Sequence, residues 1–389
     1  MANFDPIIDR TGTGSLKWDR YKDRPILPLW VADMDFASPP AVVAALQDRA
    51  LHGVFGYTIP YEEVVGEVLN YLRKRHGLSV TAEMLVWLPG LVPALNLACR
   101  TFGEAGSGVL INTPVYPPFL SAPVFSDRTR IAVPLLTHGD RWDIDWDAME
   151  AAVTPGTKLF ILCHPHNPVG RVWSRDDLAR IVDFCVRHDL VLVSDEIHCD
   201  LILDDVPHVP ALALGPDATA RCIALYSPSK TYNLPGLACA FAVIPDETLR
   251  QRFKRTAHGI ITEINAFGYA GCAAAYQHGE PWRRELITYL RGNRDLVFTF
   301  VRNHLPGIVM RPMAATYLAW LDVRGLNLDT PHQFFEDAGV GLSNGIDFGA
   351  PGFLRLNFGC PRAMLQEGLD RMKRDRKSTR LNSSHLVIS

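Results

Sequence analysis

Apolar residues in this chain fall in short runs separated by polar, turn-forming stretches. Five runs stand out: Val109–Ile111, Leu159–Cys163, Leu190–Ser194, Cys222–Tyr226 and Ala240–Ile244. Each is apolar at nearly every position, the pattern of a strand buried on both faces. Helical patterns separate several of them. Ser174-Arg175-Asp176-Asp177 resembles a capping box, with Asp in place of the longer Glu. Leu178, Ile181, Val182 and Cys185 then recur at i, i+3, i+4 and i+7, one face of a helix. An earlier helix is predicted with Ser38 as its cap, Pro39 and Pro40 opening it, Val42, Val43, Leu46 and Ala50 on one face, and Gly53 closing it. Strands alternating with helices predict an α/β fold, a mostly parallel sheet covered by helices on both faces.

The texture changes near residue 283. A long helix over Trp282–His304 leads to a strand at Tyr317–Leu321, a helix at Pro331–Ala338 and a strand at Phe353–Phe358. This reads as a smaller α+β domain. The expected division is an N-terminal arm (1–45) joining the small domain, a large domain (46–282), a small domain (283–375) and a tail (376–389). A terminal helix is predicted from Pro361 to about Arg374. The tail has no apolar period and is expected to be disordered or non-native, and not to continue that helix.

Composition narrows the classes. With 389 residues, 48% hydrophobic and 21% charged, the chain is an ordinary globular protein with room for two domains. A formal net charge of -3 leaves no electrostatic footprint for nucleic acid or an anionic membrane. No apolar run approaches the length of a spanning helix, and the first residues lack the basic and apolar parts of a signal peptide. A cytoplasmic location is expected. The eight cysteines include no C-x-x-C pair and read as reduced core thiols.

Ligands of open parallel sheets bind outside the carboxyl ends of the strands. Polar residues that follow the apolar runs are therefore the candidates for chemistry. They include Tyr116 after the first run, Asn167 after the second, Asp195 and His198 after the third, and Ser227-Pro228-Ser229-Lys230 after the fourth. Pro89-Gly90-Leu91-Val92-Pro93 opens a further helical run, Ala94–Arg100, whose first N–H groups suit a phosphate. A cofactor with a phosphate, a ring nitrogen and a carbonyl uses all of these. Lys230 forms the Schiff base. Asp195 keeps the ring nitrogen protonated, and Asn167 and His198 hydrogen-bond the phenolic oxygen. Tyr116 stacks on the ring. Gly90, Leu91, Val92, Ser227 and Ser229 take the phosphate. That cofactor is pyridoxal 5'-phosphate.

The order of these motifs resembles the fold-type I pyridoxal phosphate enzymes of the aspartate aminotransferase superfamily: Asn-Pro-x-Gly at 167–170, Asp-Glu-Ile-His at 195–198 and Ser-Pro-Ser-Lys at 227–230. Five stretches resemble its MalY/PatB-type cystathionine β-lyase (C–S lyase) branch. They are Lys17-Trp18-Asp19, Trp30-Val31-Ala32-Asp33-Met34-Asp35-Phe36, His52–Tyr57, Pro165–Gly170 and Thr316–Trp320. The resemblance implies further roles. Tyr57 would reach the phosphate in a neighbouring subunit, making the enzyme a homodimer with a catalytic contribution from Tyr57 and Tyr116. Arg355 would clamp the substrate α-carboxylate. It also implies that Lys230, once freed by the substrate amine, removes the Cα proton, so that the β-thiolate of L-cystathionine or another cysteine S-conjugate leaves and pyruvate and ammonia follow. Two positions depart from the wider superfamily: His198 stands where Tyr is usual, as in the lyase branch, and Ala238 stands where an arginine usually meets the phosphate.

Other readings fit single residues. Asp195 would serve as a helix cap, His198 as a satisfied core histidine, Arg355 as a salt-bridge partner, and Tyr57 and Tyr116 as packing aromatics. His164, His166, Asp195 and His198 would suit Zn²⁺, but that leaves Lys230 and both serines unexplained. Glu196 is expected to face away without a role. An aminotransferase on the same scaffold and a regulator-binding protein are the alternative functions.

Overall fold

The computed structural model describes residues 2–385, with side chains through Arg374. Seven strands form the large sheet: β1 (Leu85–Leu88), β2 (Gly108–Thr113), β3 (Thr129–Pro134), β4 (Thr157–Cys163), β5 (Val191–Asp195), β6 (Cys222–Tyr226) and β7 (Ala240–Val243), in the order β1-β7-β6-β5-β4-β2-β3. Pairing is parallel from β6 through β5, β4 and β2 to β3. The exception is β7, antiparallel to both neighbours. The five apolar runs are therefore strands, and the sheet is mostly parallel as their composition predicts.

Alternation along each strand divides two cores. Val109, Ile111, Leu159, Ile161, Val193 and Ile223 pack on one face with Ala94, Leu95 and Ala98. Leu110, Phe160, Leu162, Leu192 and Ala224 pack on the other with Leu178, Ile181 and Val182. Each such fully buried Leu, Ile or Val stabilises the fold by roughly 1.5–3 kcal/mol. The helix that presents the latter residues, Arg175–Arg187, has the predicted capping box: Ser174 Oγ accepts from Asp177 N–H and Asp177 Oδ2 accepts from Ser174 N–H. The shorter Asp reaches.

A four-stranded antiparallel sheet follows the long helix Glu280–His304: β8 (Val309–Met310), β9 (Leu318–Asp322), β10 (Ser343–Asn344) and β11 (Phe353–Asn357), ordered β8-β9-β11-β10. Its core takes in Phe4, Leu29, Met34 and Phe36 from the N-terminal stretch. Leu27–Pro28 also pairs in parallel with Val340–Gly341.

Several expectations need correction. The helix Pro40–His52 starts without a side-chain cap: Ser38 Oγ donates instead to the carbonyl of Asn233. Its end is as predicted, with Gly53 at φ 76. Strands β1 and β3 were not apparent in the pattern; β3 is an edge strand, mostly exposed, and lacks an apolar run. The last helix is Arg362–His385, so its backbone continues past Arg374. Residues 375–385 contain neither proline nor glycine to stop it. The rest of the expected tail, 386–389, lies outside the described residues. Among the described residues no helix is long and apolar enough to cross a membrane.

Candidate active site

Strand register places the chemistry at the middle of the large sheet. Asp195 is the last residue of β5, opposite Cys163 of β4 and Leu225 of β6. The turns after β4 and β6 thus bring Asn167 and the Ser227–Lys230 segment to its two sides. Across the opening, Gly90 caps the eleven-residue helix Leu91–Thr101, which begins three residues before the predicted Ala94. Between them lies a cavity of about 200 Å³. All the predicted site residues line it except Tyr57 and Arg355, and Ala32, Phe119 and Ala238 line it too. A larger cavity of about 670 Å³, between Trp142, Trp173, Val206 and Met313, contains none of the predicted site residues.

Lys230 Nζ donates to the carbonyl of Ala32 at 2.6 Å. Burial first, then the Arg355 charge, push its pKa down from 10.5 to about 8, against the pull of Asp33 and Asp195. Burial pushes the Asp195 carboxyl up to about 7, although Oδ1 accepts from Ile197 N–H at 3.1 Å and Lys230 lies near. The His198 ring is driven down to about 3 by burial and by the Lys230 and Arg355 charges, so it is neutral, and its Nδ1 has no partner among the described residues. Burial also raises the Tyr116 hydroxyl.

Arg355 projects from β11 beside the cavity. Its Nη1 donates to Asn167 Oδ1 at 3.1 Å and its Nη2 to the carbonyl of Trp30 at 3.1 Å, while Nε is buried without a partner. The guanidinium lies 4.7 Å from the Phe348 ring centre. No carboxylate pairs with it among the described residues, and burial lowers its pKa to about 10. A buried cation without a counter-ion is costly, and an anionic ligand relieves it.

The remaining candidates separate. Ser227 Oγ donates to the carbonyl of Cys239 at 2.8 Å and accepts from Ser229 N–H, so its proton is already engaged. Tyr57 is fully exposed and lies outside its own chain's cavity. Ala238 lines the cavity with φ 51, and Lys230 is the one cationic side chain among the lining residues. His164 and His166 place Nε2 on the carbonyls of Val209 and Pro114, and burial lowers them to about 3 and about 4. Among the described residues, metal-like spacing is found instead at His76, Cys199 and Asp200, and the Tyr71 hydroxyl hydrogen-bonds all three. Glu196 faces the other way, bound by Ser194, His208, Ala211 and Tyr226. Sequence reasoning missed the part played by Trp30 and Ala32, which contribute backbone carbonyls, and by Tyr317, whose hydroxyl donates to the Ala32 carbonyl at 2.9 Å.

The residues present fit pyridoxal phosphate. A half-satisfied buried carboxylate suits a ring N–H⁺, a helix N-terminus at Gly90–Val92 suits a phosphate, and an amine tuned to about 8 suits bonding to an aldehyde. Fold and site together define a pyridoxal-phosphate enzyme of fold type I. The family model for aminotransferase class I and II matches residues 24–372. The chain is 38% identical to cystathionine beta-lyase PatB of Bacillus subtilis, over 95% of this chain and 99% of that protein. Among solved structures, OvoB superposes with a TM-score of 0.93 at 43% identity, covering 96% of this chain and 98% of that one. Cystalysin from Treponema denticola, which contains a pyridoxal 5'-phosphate cofactor, superposes with a TM-score of 0.94 at 32% identity, covering 97% and 100%. The chain belongs to the aminotransferase class I and II family, in its MalY/PatB C–S lyase branch.

Proposed function

We propose that this protein is a pyridoxal-phosphate-dependent C–S β-lyase that cleaves L-cystathionine or related cysteine S-conjugates to a thiol, pyruvate and ammonia. The observation that carries an amino-acid substrate is Arg355, a buried guanidinium with an unpartnered Nε beside the cavity that holds Lys230. The choice of β-elimination rests on the likeness to PatB. Bound in the cavity, the cofactor supplies an electron sink for the charge left at the substrate Cα. Arg355 docks the carboxylate and so orients Cα. Lys230, with its pKa near 8, is available as a neutral amine to take the Cα proton. Asp195, Asn167 and His198 line the cavity, where Asp195 would hold a proton on the ring nitrogen and Asn167 and His198 would hydrogen-bond the phenolic oxygen. Gly90, Leu91, Val92, Ser227 and Ser229 would take the phosphate, and Tyr116 would stack on the ring.

The same reading makes the enzyme a homodimer. Val54, Phe55, Tyr57 and Ile59 form an exposed apolar stretch, and the Tyr57 side chain is fully exposed in its own chain. A partner's phosphate end, short of a cation, gives it a task. A reducing compartment, the cytoplasm, fits eight cysteines that are all free and buried. The test is to supply protein, pyridoxal phosphate and cystathionine with no keto acid. Steady release of pyruvate with thiol in equal amounts supports the proposal; turnover only when a keto acid is added makes the protein an aminotransferase.

A further inference from the structure

Lys17-Trp18-Asp19 and the stretch Trp30–Phe36 put one residue, Ala32, on the cofactor cavity. The structure brings the two stretches together below it. Lys17 is fully buried, and its ammonium donates to Asp35 Oδ2 at 2.6 Å and to the carbonyl of Asp33 at 3.2 Å. Asp35 is buried as well, and its Oδ1 accepts from Trp18 Nε1 at 2.8 Å and from Arg10 Nη1 at 2.6 Å. Trp30 Nε1 donates back to the carbonyl of Lys17 at 3.1 Å. A buried ion pair survives at this depth only with further polar partners. Here both Asp35 oxygens are engaged, and Lys17 has a second acceptor in the Asp33 carbonyl, with Asp33 Oδ1 3.8 Å away.

The stretch 30–36 has neither helix nor strand of its own; Asp35 N–H donates to the Gly359 carbonyl at 2.8 Å, and side chains bind most of its other polar backbone groups. Asn233 accepts from Met34 N–H at 2.9 Å and donates to the carbonyls of Met34 and Phe36. Asn357 donates to the carbonyls of Val31 and Asp33. Two carbonyls of this strap then face the site. That of Trp30 accepts from Arg355 Nη2 at 3.1 Å. That of Ala32 accepts from Lys230 Nζ at 2.6 Å and from Tyr317 Oη at 2.9 Å.

We infer that Lys17, through its buried pair with Asp35, is a positioning residue: it fixes the strap 30–36 so that the Trp30 and Ala32 carbonyls aim Arg355 and Lys230. The inference rests on the roles proposed above for those two residues. A neutral carbonyl suits the task because it orients a cation without neutralising it. A carboxylate there would compete with the substrate's own. Asp33, whose charge acts on Lys230, is itself bound through Oδ2 by Arg10 Nη2 at 2.5 Å.

Two variants test this. Lys17→Met keeps side-chain length and removes the ammonium, with Arg10 and Trp18 still on Asp35. Asn233→Gly releases the strap from its other side without changing a charge, and glycine keeps the φ of 57 found there. In either variant KM for a cysteine S-conjugate is expected to rise about tenfold while kcat falls less, since a misaimed Arg355 weakens docking. In cofactor-free protein, labelling of Lys230 by an amine-reactive reagent, mapped by mass spectrometry against exposed Lys74, is expected to rise severalfold. A folded variant that melts earlier but keeps wild-type KM and wild-type Lys230 labelling would overturn the inference. The labelling comparison uses no substrate, so it decides the matter even where the wild-type protein proves not to be a lyase.

Discussion

Replacing Arg355 by Met should remove function while leaving stability nearly untouched. The side chain is 4% exposed, and burial lowers its pKa from 12.5 to about 10. That shift corresponds to roughly 3 kcal/mol of charge burial that the protein alone does not relieve. Against it stand three hydrogen bonds, to Asn167 Oδ1, the Trp30 carbonyl and, at 3.4 Å, Ser343 Oγ, at about 1 kcal/mol each, and a cation–π contact with Phe348 at about 1–2 kcal/mol. The Trp30 carbonyl keeps a second donor, Ser343 Oγ. The terms nearly cancel, so denaturant unfolding of cofactor-free Arg355→Met should lie within about 2 kcal/mol of wild type. A broken buried ion pair would cost about 3–5 kcal/mol. Function should respond very differently. Two charge-assisted bonds to a carboxylate are worth about 3–6 kcal/mol, so kcat/KM for cystathionine should fall roughly 10²- to 10⁴-fold. A decarboxylated analogue, the S-conjugate of cysteamine, should be handled equally by both proteins, however poorly. An equal loss with both substrates, or a loss of stability beyond about 3 kcal/mol with KM unchanged, would refute the reasoning.

Cofactor affinity should rise between pH 6 and about 8.5, because binding needs Asp195 ionised and Lys230 neutral and their pKa values are about 7 and about 8; fluorescence titration of cofactor-free protein reads it, and a flat profile contradicts it. The sign for stability is opposite: the Asp195 pKa lies above its ordinary value, so in cofactor-free protein its contribution is present below about pH 4 and lost as pH rises through about 7, visible as a falling melting temperature. Gly170→Ala should destabilise by at least about 2 kcal/mol in urea unfolding, since Gly170 sits at φ 69 and a Cβ there would stand 2.6 Å from Met313 Cβ and 2.9 Å from the Ala315 carbonyl. Ser174→Ala should cost about 1 kcal/mol through the lost cap and leave kcat/KM unchanged, because the helix it starts lies outside the cofactor cavity.

What the chain reveals by itself follows from where burial leaves a mark. Strands β2, β4, β5, β6 and β7 are buried on both faces, so they are written as apolar runs. The edge strand β3 faces water and is not. Asn167, Asp195 and Lys230 were legible because each follows such a run, and a parallel sheet gathers its carboxyl ends at one place. Arg355 and Tyr57 follow no comparable signal. Arg355 lies on a strand of the small sheet, and Tyr57 on an exposed stretch, so only resemblance singles them out. The Trp30 and Ala32 carbonyls were illegible in principle, since a backbone oxygen has no side-chain signature. Ser38 shows the reverse failure: it has the right side chain before a helix, yet Asn233 offers its hydroxyl a partner from across the fold.

Every role proposed for the site depends on Lys230 carrying the cofactor. Borohydride reduction of the protein loaded with pyridoxal phosphate, followed by peptide mapping, tests it most directly. A phosphopyridoxyl group is expected on Lys230 within Ser227–Tyr232, and none after Lys230→Ala, with pyruvate release abolished in that variant. A phosphopyridoxyl group on another lysine of the active wild-type enzyme, or full activity in Lys230→Ala, would contradict that assignment.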